Sequence, residues 1–303
     1  MRILAPPLDF GPYEVAARSS VGPAPARAEN QDNYLLIDTR GQAEFLRGQQ
    51  VARHQLAHWP AGHVRVAVLD GMGGHGQGRE VSEAVVAGLL SLPAASNQAS
   101  LNHALDTLHQ QLQAHFADSP GRRPGTTLTL LELPPGGPAL LYHVGDSRLY
   151  ALTGAGAQPL TVDHVPATSY ALAGLLDAAG WWQQVHGEHR AQISQAFILG
   201  NALRQPQHLA DGLYPLTPLN LPDYLAALAD RRALALAPAT SYVLASDGCW
   251  ACADPAAWVA QWPALLAGAP GPAVERLFSA LHSQPPPGLQ SDNLTAIILR
   301  LRP

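Results

Sequence analysis

The sequence predicts an α+β protein in which strands outnumber helices and follow one another along the chain. Apolar runs of strand length come in adjacent groups, whereas stretches with apolar residues at helical spacing are fewer. This order favours antiparallel sheets with helices on their faces over the alternating pattern of a parallel sheet. The chain has 303 residues, 47% of them apolar, which is ample for a hydrophobic core, although length alone allows one large domain or two small ones.

Each element rests on a local pattern. Strands are predicted from apolar runs bounded by Gly, Pro, Asn or Asp, the clearest being V-A-V-L before Asp70. In chain order, strands are expected at residues 14–21, 34–38, 64–69, 126–133, 139–152, 242–245 and 294–301. Helices are predicted where apolar residues recur every three or four positions, as at Val81, Val85 and Leu89. They are expected at residues 80–92, 101–116, 171–179, 192–203, 256–266 and 272–282.

The histidines do not show the spacing of a metal site. His54, His58 and His63 lie in or beside polar residues 41–62, and His103, His109 and His115 lie in the second predicted helix. The polar segment is interpreted as a solvated loop, with a zinc site as the alternative. The histidines of the helix do not share a face, so we expect them at the surface.

Five aspartates stand at the ends of apolar runs. Asp70, Asp146 and Asp247 follow such runs, whereas Asp32 and Asp292 precede them. Aspartates at the ends of adjacent strands would converge at one edge of a sheet, where a buried carboxylate needs a cation or strong hydrogen-bond donors. Such hard oxygen ligands suit Mg²⁺ or Mn²⁺ better than zinc. Ordinary turns are the alternative reading.

Charge and composition exclude several classes of partner. The formal net charge of -5 gives no support for binding to nucleic acid or to an anionic membrane. The apolar stretch at the N-terminus is too short, and too often interrupted by proline, to be a signal peptide. No apolar run in the sequence approaches the length of a membrane span. The two cysteines, Cys249 and Cys252, form one C-x-x-C motif, which fits a reducing compartment. We expect a cytoplasmic protein.

Seven motifs, taken in order, resemble a known family. They are R-A-E-N-Q-D from Arg27, D-G-M-G-G-H from Asp70, G-T-T from Gly125, V-G-D-S-R from Val144, L-T-V-D-H from Leu160, A-S-D-G from Ala245 and S-D-N-L-T from Ser291. This ordered set is similar to that of the metal-dependent (PPM-type, or type 2C) protein serine/threonine phosphatases, and the D-G-M-G-G-H form resembles bacterial members. The resemblance extends over almost the whole chain.

The resemblance implies a fold and an activity. The fold would be a four-layer α/β/β/α sandwich, with two antiparallel sheets face to face, in a single domain over residues 1–303 with a variable flap at about 165–232. The activity would be hydrolysis of phosphoserine and phosphothreonine by attack of a metal-bridging hydroxide, in a monomer that opposes a bacterial serine/threonine kinase. A catalytically silent phosphoprotein-binding regulator of the same fold is the alternative, and a phosphatase of small molecules is a third reading.

The resemblance also assigns the site to particular residues. It implies two Mn²⁺ or Mg²⁺ ions and a third, more weakly held, with Asp70 and Asp32 as the catalytic residues and Arg27 as the phosphate ligand. The implied metal ligands are Asp32, Asp70, the carbonyl of Gly71, Asp146, Asp247 and Asp292. For Asp146, a turn cap paired with Arg148 is the alternative.

The chain departs from the family pattern at several positions. Met72 stands where eukaryotic members have a histidine, and His75 lies three residues further along the chain. The general acid is therefore unassigned, with metal-bound water as a candidate. Gln31 replaces a frequent glutamate, which would weaken a metal site without abolishing it. Cys249 and Cys252 next to Asp247 raise the hypothesis of a redox switch, with buried packing cysteines as the alternative.

Overall fold

A computed structural model of the chain describes residues 7–23, 28–73, 77–118, 123–188 and 191–302. The strands are β1 Tyr13–Ser20, β2 Asn33–Ile37, β3 Gln42–Arg47, β4 Gln50–Gln55, β5 Val64–Leu69, β6 Gly71–Met72, β7 Gly125–Thr126, β8 Leu128–Leu133, β9 Ala139–Val144, β10 Arg148–Thr153, β11 Gly156–Pro159, β12 Gln195–Ala196, β13 Gly200–Asn201, β14 Arg231–Leu234, β15 Ser241–Ala245 and β16 Leu294–Leu301. The α-helices are α1 Gln77–Ser91, α2 Gln98–His115, α3 Pro166–Leu172, α4 Ala178–Trp182, α5 Pro255–Val259, α6 Trp262–Leu265 and α7 Pro270–Ser283.

Two large antiparallel sheets form the centre of the molecule. One has seven strands in the order β14-β9-β8-β5-β2-β3-β4, and the other has five in the order β1-β16-β15-β10-β11. The chain passes from the first sheet to the second at the turn between β9 and β10. Apolar side chains of both sheets, among them Val66, Leu141, Leu244 and Ile297, are buried together in one cluster. The sheets therefore pack face to face, as the predicted sandwich requires.

Helices cover the outer face of each sheet. Alternate residues of the seven-stranded sheet, such as Leu35 and Ala67, are buried against Val85 of α1 and Leu105 of α2. The five-stranded sheet is covered in the same way by α5, α6 and α7, where Leu277 and its neighbours are buried. The four-layer α/β/β/α prediction is confirmed.

The polar segment 41–62 is not a loop, so that prediction is wrong. Most of it forms the hairpin of β3 and β4, joined by Gly48 and Gln49, which both have positive φ. The alternation of a strand is absent from the sequence because most of β4 is exposed on both faces. His63 is buried and bonded to Glu132 at 2.8 Å, and is therefore no part of a solvated loop.

Segment 165–232 differs most from its predicted elements. Residues 171–179 contain only the end of α3 and the start of α4, and residues 192–203 form the β12–β13 hairpin in place of a helix. Ile198 and Gly200 have φ values of 74° and 105°, which a helix cannot accommodate. The predicted surface position of His109 is also wrong, because its buried ring accepts a hydrogen bond from the Ile198 amide at 2.9 Å.

This segment has an apolar cluster of its own. Ala171, Trp181, Leu203, Leu216 and Leu225 are buried together beside the sandwich. No helix among the described residues combines the length and the apolar character needed to cross a membrane.

Candidate metal centre

The predicted aspartates of the seven-stranded sheet lie at one end of neighbouring strands. Asp32 immediately precedes β2 and Asp70 immediately follows β5. The two strands are antiparallel and pair Asn33 with Leu69, so Asp32 and Asp70 are side by side at the sheet edge.

The five-stranded sheet contributes aspartates at the same edge. Asp247 follows β15 and Asp292 precedes β16, and these strands pair Ala245 with Ala296. Asp146 lies in the turn from β9 to β10, where the chain crosses between the sheets. A cavity of about 250 Å³ opens between these ends, lined by Asp70, Asp146, Asp247 and Asp292 together with Gln31, Gly71, Met72, Ala191, Gln192 and Ile193.

Asp32 is buried behind this cavity. It is 2% exposed, and its Oδ2 accepts a hydrogen bond from the Ser246 hydroxyl at 2.8 Å. Its Oδ1 is buried and has no hydrogen-bond partner in the described part of the chain. Burial, opposed by the Ser246 hydrogen bond and reinforced by the charges of Asp292 and Asp247, raises the pKa of Asp32 to about 7.

The other carboxyls show the same electrostatic imbalance. Burial, followed by the charges of Asp32, Asp247 and Asp292, raises the pKa of Asp70 well above its usual range. Burial and the charge of Asp247 raise the pKa of Asp146 in the same way. Like charges so close together in a buried site call for a cation to compensate them.

The donor set fits divalent ions that prefer oxygen. Carboxylates facing an open cavity, with an unpartnered oxygen on Asp32, are suited to Mg²⁺ or Mn²⁺, which keep part of their water shell when bound. Among the described residues, no three Asp, Glu, His or Cys side chains are already gathered around a single ion position. A site of this kind would hold its ions through water as well as through carboxylate.

Hydrogen bonds from the chain fix the position of Asp70. Its amide donates to Thr127 Oγ1 at 2.9 Å, and its carbonyl accepts from the Thr127 amide at 2.9 Å. Thr127 Oγ1 is in turn 2.7 Å from the hydroxyl oxygen of Ser147, beside Asp146. Gly71 is required sterically, because a Cβ there would lie 2.2 Å from the carbonyl oxygen of Gly78.

Two residues that support the site, Asn293 and Ser246, were not assigned a role from sequence. Both lie in motifs that resemble those of the phosphatase family. Asn293 Oδ1 accepts from the Gln31 amide at 2.9 Å, and its Nδ2 donates to the carbonyls of Val21 and Glu29. Ser246 donates to Asp32, as described above. The sequence signal that could have identified them is their position next to Asp247 and Asp292, since a hydroxyl or amide side chain beside a carboxylate can hold it or its neighbours by hydrogen bonds.

The alternative partner for Asp146 is engaged elsewhere. Arg148 donates to both carboxylate oxygens of Asp163, at 2.8 to 3.1 Å. The ion pair is buried. The same guanidinium also donates to the Val185 carbonyl at 2.5 Å, and this hydrogen bond joins β10 to segment 165–232.

Two of the residues singled out from the sequence, Arg27 and His75, lie outside the described residues.

The two cysteines, Cys249 and Cys252, are buried free thiols, and burial raises the pKa of Cys249 far above its usual range. A protonated, buried thiol opposes the redox-switch hypothesis, since the thiolate is the reactive form.

Comparison with known proteins places the fold in a defined class. No protein-family model matches the sequence, and no curated protein matches it. Many solved structures match in three dimensions, and PPM-type serine/threonine phosphatases are among them, so the chain has the fold of that class.

Three of these structures illustrate the likeness. PppA of Pseudomonas aeruginosa, described as a key regulatory component of T6SS, has a TM-score of 0.61 and 23% identity, covering 97% of this chain and 99% of its own. MsPP of Mycobacterium smegmatis, a PPM Ser-Thr phosphatase in complex with cacodylate, has a TM-score of 0.58 and 23% identity, covering 95% and 98%. The catalytic domain of PstP in complex with two manganese ions has a TM-score of 0.59 and 21% identity, covering 95% and 97%.

Proposed function

We propose that the chain is a metal-dependent protein serine/threonine phosphatase that hydrolyses phosphoserine and phosphothreonine. The observation that carries the proposal is the group of five aspartates from both sheets at one edge of the sandwich, with pKa values raised in Asp32, Asp70 and Asp146. The likeness of the fold to serine/threonine phosphatases, one of them a manganese complex, supports it.

The proposed cofactors are two Mn²⁺ or Mg²⁺ ions and a more weakly held third. Their proposed ligands are Asp32, Asp70, the Gly71 carbonyl, Asp146, Asp247 and Asp292. Divalent ions in such a site lower the pKa of a bound water and neutralise the charge of the phosphoryl group.

The residues of the chain position these ligands and the substrate. Thr127 holds the Asp70 backbone on two sides, so the carboxyl stays at the strand end. The Ser246 hydroxyl occupies one oxygen of Asp32 and leaves the other for a cation or its water. Arg27 is proposed to bind the phosphate, because a guanidinium donates parallel hydrogen bonds to two oxygens.

The wider setting is proposed from the same resemblance. The chain would act as one domain and as a monomer in the cytoplasm, with residues 165–232 as the flap beside the site. Its substrate would be a phosphoprotein produced by a bacterial serine/threonine kinase.

The test is hydrolysis of a phosphothreonine peptide in Mn²⁺, with and without chelator. We expect turnover that requires the metal and is lost in Asp70→Asn, whereas Asp118→Asn, the same change at an exposed position, keeps it. Absence of turnover from folded, manganese-loaded protein would contradict the proposal. Binding of the phosphopeptide without turnover would identify the silent regulator instead.

A further inference from the structure

His164 is a buried histidine at the end of the L-T-V-D-H motif, and it has no role assigned from sequence. It lies beside Gly145, which precedes Asp146 in the turn from β9 to β10. The Gly145 amide donates to His164 Nδ1 at 3.2 Å, and the Gly145 carbonyl accepts from the His164 amide at 2.9 Å. A single residue therefore binds both backbone polar groups of Gly145.

The hydrogen bonds around the imidazole of His164 fix its tautomer. The side-chain oxygen of Gln195 accepts from the Tyr214 amide at 2.6 Å, so the side-chain nitrogen of Gln195, 3.0 Å from His164 Nδ1, is a donor. Two donors, this nitrogen and the Gly145 amide, thus converge on Nδ1. Since Nδ1 can accept only when it carries no proton, the proton of the ring is on Nε2.

The carboxylate of Asp230 faces that proton. Its Oδ2 lies 3.4 Å from His164 Nε2, and no other side chain or carbonyl in the described ranges accepts a hydrogen bond from Nε2. The same Oδ2 accepts from the Leu216 amide at 2.9 Å, and the Asp230 carbonyl accepts from the His143 amide in β9 at 2.9 Å. Asp230 is buried and held in place, so it orients the ring from the side opposite Gly145.

The backbone around Asp146 is held from two sides. Gly145 and Ser147 flank Asp146 in the turn, and the Ser147 carbonyl accepts from Thr129 Oγ1 in β8 at 2.9 Å. Gly145 is bound by His164, as described above. Outer hydrogen bonds of this kind orient the ligands of a metal ion. The direction of the Asp146 carboxylate therefore depends on His164 as well as on β8.

We propose that His164 is a positioning residue of the candidate metal centre. Its Nδ1 holds Gly145, and through Gly145 it keeps the Asp146 carboxylate where a divalent cation can bind it. Asp230 keeps the imidazole in the tautomer that this role requires. The inference rests on the proposed metal-dependent function and adds a residue that touches neither the metal nor the substrate.

The first test measures Mn²⁺ binding by calorimetry to the metal-free chain carrying His164→Asn or His164→Gln. Asparagine has an oxygen at the same number of bonds from the backbone as Nδ1, so it can still accept from the Gly145 amide. Glutamine carries its amide one bond further out, near the place of Nε2, and leaves Gly145 unpaired. We expect the glutamine variant to bind the ion held by Asp146 roughly tenfold more weakly, and the asparagine variant to stay within about twofold of the wild type.

Urea unfolding of the same two variants separates positioning from a general loss of structure. Asparagine is smaller than glutamine and leaves a larger void at the buried position, so His164→Asn should be the less stable of the two. Positioning therefore predicts opposite orders for stability and for Mn²⁺ affinity. If the affinity falls in the same order as the stability, with His164→Asn the weaker binder, the proposal is overturned.

His109 provides a matched control, because its buried Nδ1 also accepts from a backbone amide, that of Ile198, at 2.9 Å. His109→Gln should lose stability without a change in Mn²⁺ affinity. The double variant His164→Gln with Asp146→Asn should bind Mn²⁺ no more weakly than Asp146→Asn alone, because His164 acts through that carboxylate. A further loss in the double variant, or an equal loss in His109→Gln, contradicts the proposal.

The outcomes also separate this inference from the proposed function. Metal-dependent hydrolysis of the phosphothreonine peptide by the wild type, with unchanged Mn²⁺ affinity in His164→Gln, overturns the role of His164 alone. Absence of Mn²⁺ binding to the folded wild type overturns both.

Nuclear magnetic resonance of the wild-type chain with isotope-labelled histidine covers the case in which the His164 variants do not fold. We expect the His164 ring to carry its proton on Nε2. Added Mg²⁺, which is diamagnetic, should shift the Nδ1 signal of His164 more than that of His109. A proton on Nδ1, or equal shifts for the two rings, contradicts the assignment.

Discussion

Replacing Asp32 by asparagine tests the electrostatic reasoning at the aspartate cluster. The substitution removes a charge from a position that is 2% exposed and keeps a side-chain oxygen that can accept from Ser246. In the metal-free protein, burial and the nearby Asp292 and Asp247 raise the pKa of Asp32 from 3.8 to about 7. A change of that size corresponds to a cost of about 4 kcal/mol when the group is ionised, which is an upper limit for what the asparagine recovers.

The sign of the pH dependence follows from the direction of the change. The folded state holds the proton of Asp32 more tightly than the unfolded chain, so its contribution to stability is present below pH 3.8 and is lost as the pH rises to about 7. Asparagine does not titrate. The advantage of Asp32→Asn over the wild type in free energy of unfolding should therefore grow by about 3 kcal/mol between pH 5 and pH 8.

The assay is urea unfolding in the presence of chelator at these two pH values. Asp118→Asn serves as the control, because it makes the same change at an exposed position. A destabilised Asp32→Asn at pH 8, or an advantage that does not change with pH, would refute the argument that this carboxylate is held in the protein at a cost. In Mn²⁺ the order should reverse, since the cation compensates the wild-type charge.

Three further predictions concern the same structure. Manganese binding at pH 7 should release protons, because the raised pKa values of Asp32 and Asp70 leave these carboxyls protonated until the cation binds. Calorimetry in buffers of different ionisation enthalpy measures the number of protons released, and a value of zero would contradict the prediction. Gly145→Ala should weaken manganese binding in a titration and lower the free energy of unfolding by about 1–3 kcal/mol. The reason is that Gly145 has φ +110° and that a Cβ would lie 2.6 Å from Thr127 Cγ2. Unchanged affinity and stability would contradict this prediction. Glu132→Ala should lower the free energy of unfolding by about 3–5 kcal/mol, because it leaves the buried guanidinium of Arg65 without its carboxylate. Urea unfolding measures this, and a loss of only a few tenths of a kcal/mol would refute that cost.

The sequence predicted best those elements whose environment is uniform. All six residues of β5 are buried, so a continuous apolar run identified it and placed Asp70 at its end. The β3–β4 hairpin was missed because its outer strand is exposed and carries no alternation. The β12–β13 hairpin was mistaken for a helix because left-handed backbone at Ile198 is not encoded in the residue type.

The site was predicted in part for a similar reason. Aspartates at strand ends are visible in a sequence once the strands are known, and Asp32 and Asp70 are neighbours through the register of β2 and β5. The contacts that support them depend on residues distant in sequence, such as Ser246, which is 214 positions from Asp32.

The aspartates come from both sheets, and this has a mechanical consequence. Asp32 and Asp70 belong to one layer and Asp247 and Asp292 to the other, so ionising these carboxyls without a cation places like charges on both layers at this edge. A cation bound by carboxylates of both sheets would cross-link the two sheets. Mutations in the apolar layer between the sheets, far from any ligand, would then alter metal affinity by changing the distance between the carboxylates of the two sheets.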